Sequence, residues 1–143
     1  MPGFERHIVV ARDPATVWAF LTSPARAPDW LRDVERVEAV GPLRAGAKVR
    51  EFRKVRRNRE TSAECVVTEW EDGRVFGLAL EEAGLKSTSR YELAPDGDGT
   101  RVSWRANIEG RGLYRLLAGT VSRLLERRDG DRLERLRNAL AAE

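Results

Sequence analysis

The chain has 143 residues, 41% of them hydrophobic and 34% charged, with 26 basic against 23 acidic side chains and a net charge of +3. A chain this long buries about 70% of its unfolded surface without a disulfide staple, and its one cysteine, Cys65, excludes an internal bridge and suits a reducing compartment. No apolar run approaches the roughly 18 residues of a membrane span, and Met1-Pro2-Gly3-Phe4 has no secretory apolar core, so one cytoplasmic domain over residues 1–143 is expected, without stable membrane insertion.

Phe4 to Ala11 reads as a strand, with β-branched Ile8, Val9 and Val10. Asp13 is a good N-cap and Pro14 suits a first helical position. Val17, Phe20 and Leu21 then share one helical face. Pro24 and Pro28 bracket a break, and Trp30 and Leu31 seat a second short helix. Strands follow at Val34 to Val40, Gly46 to Arg57 and Glu60 to Trp70, with a hairpin turn at Arg57-Asn58-Arg59. Arg74 to Glu81 is a strand with Phe76, Leu78 and Leu80 on one face. The last hairpin joins Ser87–Leu93 to Thr100–Ile108 across Pro95-Asp96-Gly97-Asp98-Gly99.

From about Gly112 the chain is helical, with Leu113, Leu116, Leu117, Val121 and Leu124 on one face. Leu125, Leu133, Leu136 and Leu140 fall on a rotated face, and the change comes at Asp129-Gly130-Asp131. A bend there, two halves facing different surfaces, or one helix wrapping a curved sheet accounts for it. The order of elements points to an α+β fold in which a curved sheet grips a helix over an internal pocket.

Several segments carry a family resemblance. They are Asp13-Pro14-x-x-Val17-Trp18-x-Phe20-Leu21, Pro28-x-Trp30-Leu31 and Val67-Thr68-Glu69-Trp70-Glu71-x-Gly73-Arg74. Ser89-x-Tyr91-x-Leu93, Asp96-Gly97-Asp98-Gly99-Thr100-Arg101-Val102-x-Trp104 and Asp131-x-Leu133-x-x-Leu136 complete the set. In this order they resemble the polyketide cyclase/dehydrase-like branch of the START-like (SRPBCC) superfamily. The resemblance implies the helix-grip fold: a curved antiparallel sheet, two short helices, and a long C-terminal helix over an apolar cavity, with Trp30 at its mouth. Other branches match less well. Gly110-Arg111-Gly112-Leu113 stands where Hsp90-activator-like proteins carry Gly-Trp. Ser23-Pro24-Ala25-Arg26 does not match the Tyr-Pro-x-Phe of the ubiquinone-binding branch. With His7 as its only histidine, the chain cannot supply the two-histidine iron site of the ring-hydroxylating oxygenases.

Side chains that suit catalysis are few. A Ser-His-acid set needs a base, and His7 has no partner at a supporting spacing, so it reads as structural or exposed. Cys65, between Glu64 and Val66, reads as a small buried hydrophobe. There is no zinc spacing and no nucleotide-binding loop, so neither a metal nor a cofactor is expected. The strand around Glu51 has two registers. In one, Val49, Glu51, Arg53 and Val55 point inward. In the other, Phe52 does, with Arg50 and Lys54. The first is preferred because it leaves a packed core, and it puts a carboxylate and a guanidinium on the concave face. Alternatively both charges reach solvent near the strand end, because buried charges need partners. The basic cluster Arg50, Arg53, Lys54, Arg56, Arg57 and Arg59 contains one aromatic, Phe52, and is interrupted by Glu51. It reads as a solvated hairpin rather than a nucleic-acid surface.

The pocket is expected to be lined by Trp30, Glu51, Arg53, Cys65, Val67, Phe76, Leu78, Tyr91, Trp104, Leu116, Leu117 and Thr120. The leading expectation is binding or transport of a small hydrophobic ligand, a lipid, isoprenoid or polyketide-like molecule. Burial of its apolar surface would supply affinity at about 25 cal/mol per Å². The alternative is a cyclase/dehydrase-type enzyme in which Glu51, Arg53 or Tyr91 handles protons. A third reading is a protein-interaction module that uses the basic hairpin. The protein is expected as a monomer or homodimer, without a nucleic-acid partner.

Overall fold

The computed structural model describes residues 2–55 and 59–143. Among them are seven strands: β1 (Gly3–Val10), β2 (Val34–Ala39), β3 (Lys48–Val55), β4 (Arg59–Glu71), β5 (Val75–Glu82), β6 (Leu85–Asp96) and β7 (Gly99–Gly110). They form one antiparallel sheet in the order β1-β7-β6-β5-β4-β3-β2. Of the turn expected at Arg57-Asn58-Arg59, residues 57 and 58 lie outside the described residues, and Arg59 begins β4.

Two features bend the sheet around its inner face. The ladder slips between Val34 and Arg36 on β2, and between Val67 and Glu69 on β4. A bulge adds twist and also shifts the period-two alternation by one residue. On β4, Cys65 and Val67 face inward before the slip. After it Trp70 faces inward, directly opposite Phe76.

Helix α1 (Pro14–Leu21) begins as its sequence requires. The Asp13 carboxylate accepts from the Thr16 backbone N–H at 3.1 Å and from the Thr16 hydroxyl at 2.6 Å. Val17, Trp18, Phe20 and Leu21 are buried beneath it. The second short helix is a 3-10 turn at Pro24–Asp29, which precedes Trp30 rather than containing it. Pro24 opens that turn and Pro28 sits inside it, where the missing N–H prevents a longer helix.

The C-terminal helix runs in pieces: a 3-10 turn at Gly112–Leu116, then α2 (Ala118–Asp129) and α3 (Arg132–Ala141). The interruption falls at Gly130-Asp131, where the leucine stripe changes face. Leu133, Leu136 and Leu140 of α3 are fully buried. On α2 the face turned toward the sheet carries Ala118, Ser122 and Asp129. Small side chains let α2 lie close to the sheet. Leu113, Leu116, Leu117 and Leu124, read on one helical face, are exposed, so Leu116 and Leu117 do not line the pocket as expected.

The outer face of the sheet accounts for much of the charge. Arg90 bonds Glu69 and Glu92 at 2.7 and 2.8 Å, and Arg74 bonds Glu71 and Glu92 at 2.7 and 2.9 Å. Such exposed pairs contribute about 0–1 kcal/mol each. His7 is exposed on β1, opposite Ser103.

Candidate functional site: an aromatic cavity with a buried polar cluster

Cross-strand register builds the floor of the site. Trp70, Phe76, Tyr91 and Trp104 are successive opposite partners on β4, β5, β6 and β7. Directly opposite residues share a face, so the four rings form one row. Tyr91 stacks between Phe76 and Trp104, 6.2 Å from each, at interplanar angles of 19° and 10°. Trp30 meets Tyr91 edge-on at 5.9 Å, and Phe4 meets Trp104 edge-on at 5.1 Å.

Beyond this row the same face carries Leu78, Ser89 and Ala106, then Leu80, Ser87 and Ile108. Small side chains on the middle strand leave room that large ones would fill. Between this face, α2 and the Pro24–Asp29 turn lies a cavity of about 390 Å³. That is within the range of about 300–1,000 Å³ usual for small-ligand sites.

The inward register of β3 is the one with Glu51. Val49 is buried, and Glu51 and Arg53 line the cavity. Phe52 lies on the opposite face beneath the Arg36 guanidinium, whose central carbon is 3.8 Å from the ring centroid. Arg53 Nη2 donates to Glu51 Oε2 at 2.9 Å, and only 12% of the Glu51 side chain is exposed.

A second polar group comes from the helix interruption. Asp129 ends α2, and Arg132 begins α3. Arg132 Nη1 donates to the Tyr91 phenolic oxygen at 2.9 Å, and its guanidinium carbon lies 4.4 Å over Trp104. Asp129 lies 3.6 Å from Arg132 and 3.4 Å from Arg135. The buried cation is therefore held by a carboxylate, a phenol and an aromatic face, as burial of a charge requires. Arg132 occupies an acceptor site of Tyr91, so the phenolic proton remains a donor.

Burial pushes the Tyr91 phenol above its ordinary pKa; Glu51 and Asp129 add to the rise, and Arg132 opposes it. Burial also pushes the Cys65 thiol up to about 12, and the Glu51 charge adds to the rise. Cys65 is thus a neutral thiol on the wall, without the thiolate that nucleophilic chemistry needs.

Of the expected lining residues, Trp30, Glu51, Arg53, Cys65, Phe76, Leu78, Tyr91 and Trp104 surround the cavity. Val67 does not; it is buried in the core beside the bulge. Leu116, Leu117 and Thr120 do not either, because the helix turns that side outward. Val121 and Leu125 take their place. Arg132 and Asp129 were absent from the expected lining. The Asp131-x-Leu133 segment marked the helix end, yet nothing in it reports a contact with Tyr91.

The model of one protein family, described as "Polyketide cyclase / dehydrase and lipid transport", matches residues 1–141. The chain belongs to this family. Known structures agree on the fold. A half of the di-domain ARO/CYC BexL, from the BE-7585A biosynthetic pathway, superposes with a TM-score of 0.80 at 13% identity, covering 99% of this chain and 47% of that one. A protein from Rhodobacter sphaeroides gives a TM-score of 0.78 at 21% identity, covering 99% and 94%. Ara h 8.0201 gives 0.76 at 11% identity, covering 99% and 98%. No curated protein matches the sequence. At these identities the likenesses concern the fold, and the polyketide cyclase/dehydrase and lipid transport family spans more than one activity.

Proposed function

We propose that this protein binds or carries a small hydrophobic molecule, a lipid, isoprenoid or polyketide-like compound, inside the cavity. The observation that carries the proposal is the row Phe76-Tyr91-Trp104 flooring a cavity of about 390 Å³ whose wall surface is mainly apolar. Burial of apolar ligand surface there contributes about 25 cal/mol per Å². Trp30, Glu51, Arg53, Cys65, Phe76, Leu78, Tyr91 and Trp104 form the ligand wall in this proposal. Native mass spectrometry of protein purified from cells, with titration of a neutral naphthylamine fluorophore, tests it. A co-purifying apolar species or saturable probe binding is expected. Absence of both would sink the proposal.

One observation favours a second reading, a cyclase/dehydrase-type enzyme. Glu51, Arg53 and Tyr91 converge on one cavity, and Arg132 holds the phenol. In this reading Tyr91 donates a hydrogen bond to a substrate carbonyl while Glu51 takes a proton from the adjacent carbon. Conversion of a model poly-β-ketone thioester, abolished by Glu51→Gln and slowed by Tyr91→Phe, is the expected result. Absence of conversion by the unaltered protein removes this reading and leaves the carrier.

The proposal also takes residues 1–143 as one domain acting in the cytoplasm, as a monomer or homodimer, without nucleic acid and without stable membrane insertion. Among the described residues no helix is long and apolar enough to cross a membrane. The buried, unpaired Cys65 suits a reducing compartment. Arg56 and Arg57 of the basic cluster, on which the reading of a protein-interaction module rests, lie outside the described residues.

A further inference from the structure

The C-terminal helical region presents leucines to solvent. Leu113 is 85% exposed and Leu116 83%, with Leu117 and Leu124 about half exposed. Leu113 and Leu116 are three residues apart in a 3-10 turn, so they share an edge. Leu117 and Leu124 are two α-turns apart on the same side of the helix. The leucines are held in place, because the Arg111 N–H bonds the Gly84 carbonyl at 3.0 Å and the Tyr114 ring rests on Gly84.

The charge around these leucines is one-sided. From Arg111 to Arg128 the chain carries five arginines and one glutamate. Glu126 is engaged by Arg6 at 2.5 Å. Several exposed arginines elsewhere, Arg74, Arg90 and Arg105 among them, sit on carboxylates. Among the described residues no ion pair holds Arg115, Arg123 or Arg127. The result is an apolar stripe edged with uncompensated positive charge.

We propose that this face, centred on Leu113, Leu116, Leu117 and Leu124, docks peripherally on an anionic lipid bilayer. Leucines enter the headgroup boundary, and Arg115, Arg123 and Arg127 meet the lipid phosphates. Charge decides between occupants. A second copy packed about a two-fold axis would bring the same arginines face to face, which like-charge repulsion opposes. An anionic surface complements both the leucines and the arginines. The face borders the cavity, since Val121 and Leu125 of α2 line it, as does Ala83 beside Gly84. Docking therefore presents that side of the cavity to the membrane, and it stands whether or not the cavity carries a lipid.

Vesicle co-sedimentation tests the proposal. Vesicles of phosphatidylcholine alone are compared with equal parts phosphatidylcholine and phosphatidylglycerol, at low and high salt. The expected result is binding to the anionic vesicles that weakens with salt. Each of Arg123→Gln and Arg127→Gln lowers it roughly fivefold. The double variant Leu113→Asp/Leu116→Asp lowers it by about tenfold or more. These positions are exposed, so an unchanged thermal melt confirms the fold of each variant. No preference for anionic vesicles, or binding unchanged in the leucine variant, overturns the proposal. So does a concentration-dependent dimer of the unaltered protein that the leucine variant abolishes, because the face would then belong to a second copy.

Discussion

Arg132 at the start of α3 donates a 2.9 Å hydrogen bond to Tyr91 in the middle of β6, joining the C-terminal helix to the cavity floor. This bond ties the stability of the fold to the chemistry of the cavity.

Tyr91→Phe keeps the ring stack and removes the acceptor. A hydrogen bond from a charged donor contributes about 1.5–3 kcal/mol, so a loss of that order is expected in urea unfolding with an unchanged slope. Arg132→Met in the Tyr91→Phe background should cost less than in the unaltered protein. Additive losses would deny the coupling.

Stability should fall on the alkaline side. The folded-state pKa of Cys65, raised by burial to about 12 from an ordinary 9.0, keeps a proton that the unfolded chain gives up. Its contribution is complete below about pH 9 and is lost as pH rises toward about 12. Tyr91, also raised by burial, acts in the same direction. Cys65→Ala should flatten this limb in unfolding measured across that range. In the unaltered protein, a thiol reagent at mildly alkaline pH should label Cys65 only after denaturation.

Gly84→Ala should destabilise the protein by about 1–3 kcal/mol. Gly84 has a φ of +79°, and a Cβ there would strike the Tyr114 ring. Thermal melts should show the loss, and Tyr114→Ala should relieve the steric part of it. Amide exchange over residues 112–117 should quicken in Gly84→Ala, because the turn loses its seat.

Ser89→Phe should close the cavity. Ser89 lies between Leu78 and Ala106 on the inner face, and its small side chain leaves that space open. Affinity for the neutral naphthylamine fluorophore should drop by roughly tenfold or more, with little loss of thermal stability. Retained affinity would place the probe on the surface instead.

Local rules made much of this protein legible. The Asp13 cap, the period-two pattern of Phe76, Leu78 and Leu80, and the glycine turn before Thr100 depend on neighbours in sequence. They are right within a few residues. The last hairpin is tighter than expected: Asp96 pairs with Gly99, leaving a two-residue turn at Gly97-Asp98. Preferring Glu51 and Arg53 over Phe52 as the inward set rested on core packing, and the register of β3 agrees with it.

Periodicity says which residues share a face, but not which face meets the sheet. Leu116, Leu117 and Thr120 therefore read as pocket lining, while packing of α2 against β7 buried Ala118 and Ser122. The bulge on β4 reversed the facing of Trp70 through one unpaired residue that no composition marks. Arg132 meets Tyr91 just past the helix interruption at Gly130-Asp131, a contact between residues 41 apart in the chain. By itself the sequence determined the family, the order of elements and the apolar character of the pocket wall, since these follow from local pattern. The tertiary structure alone decided which polar groups meet inside the cavity and which leucines face outward, because long-range docking sets both.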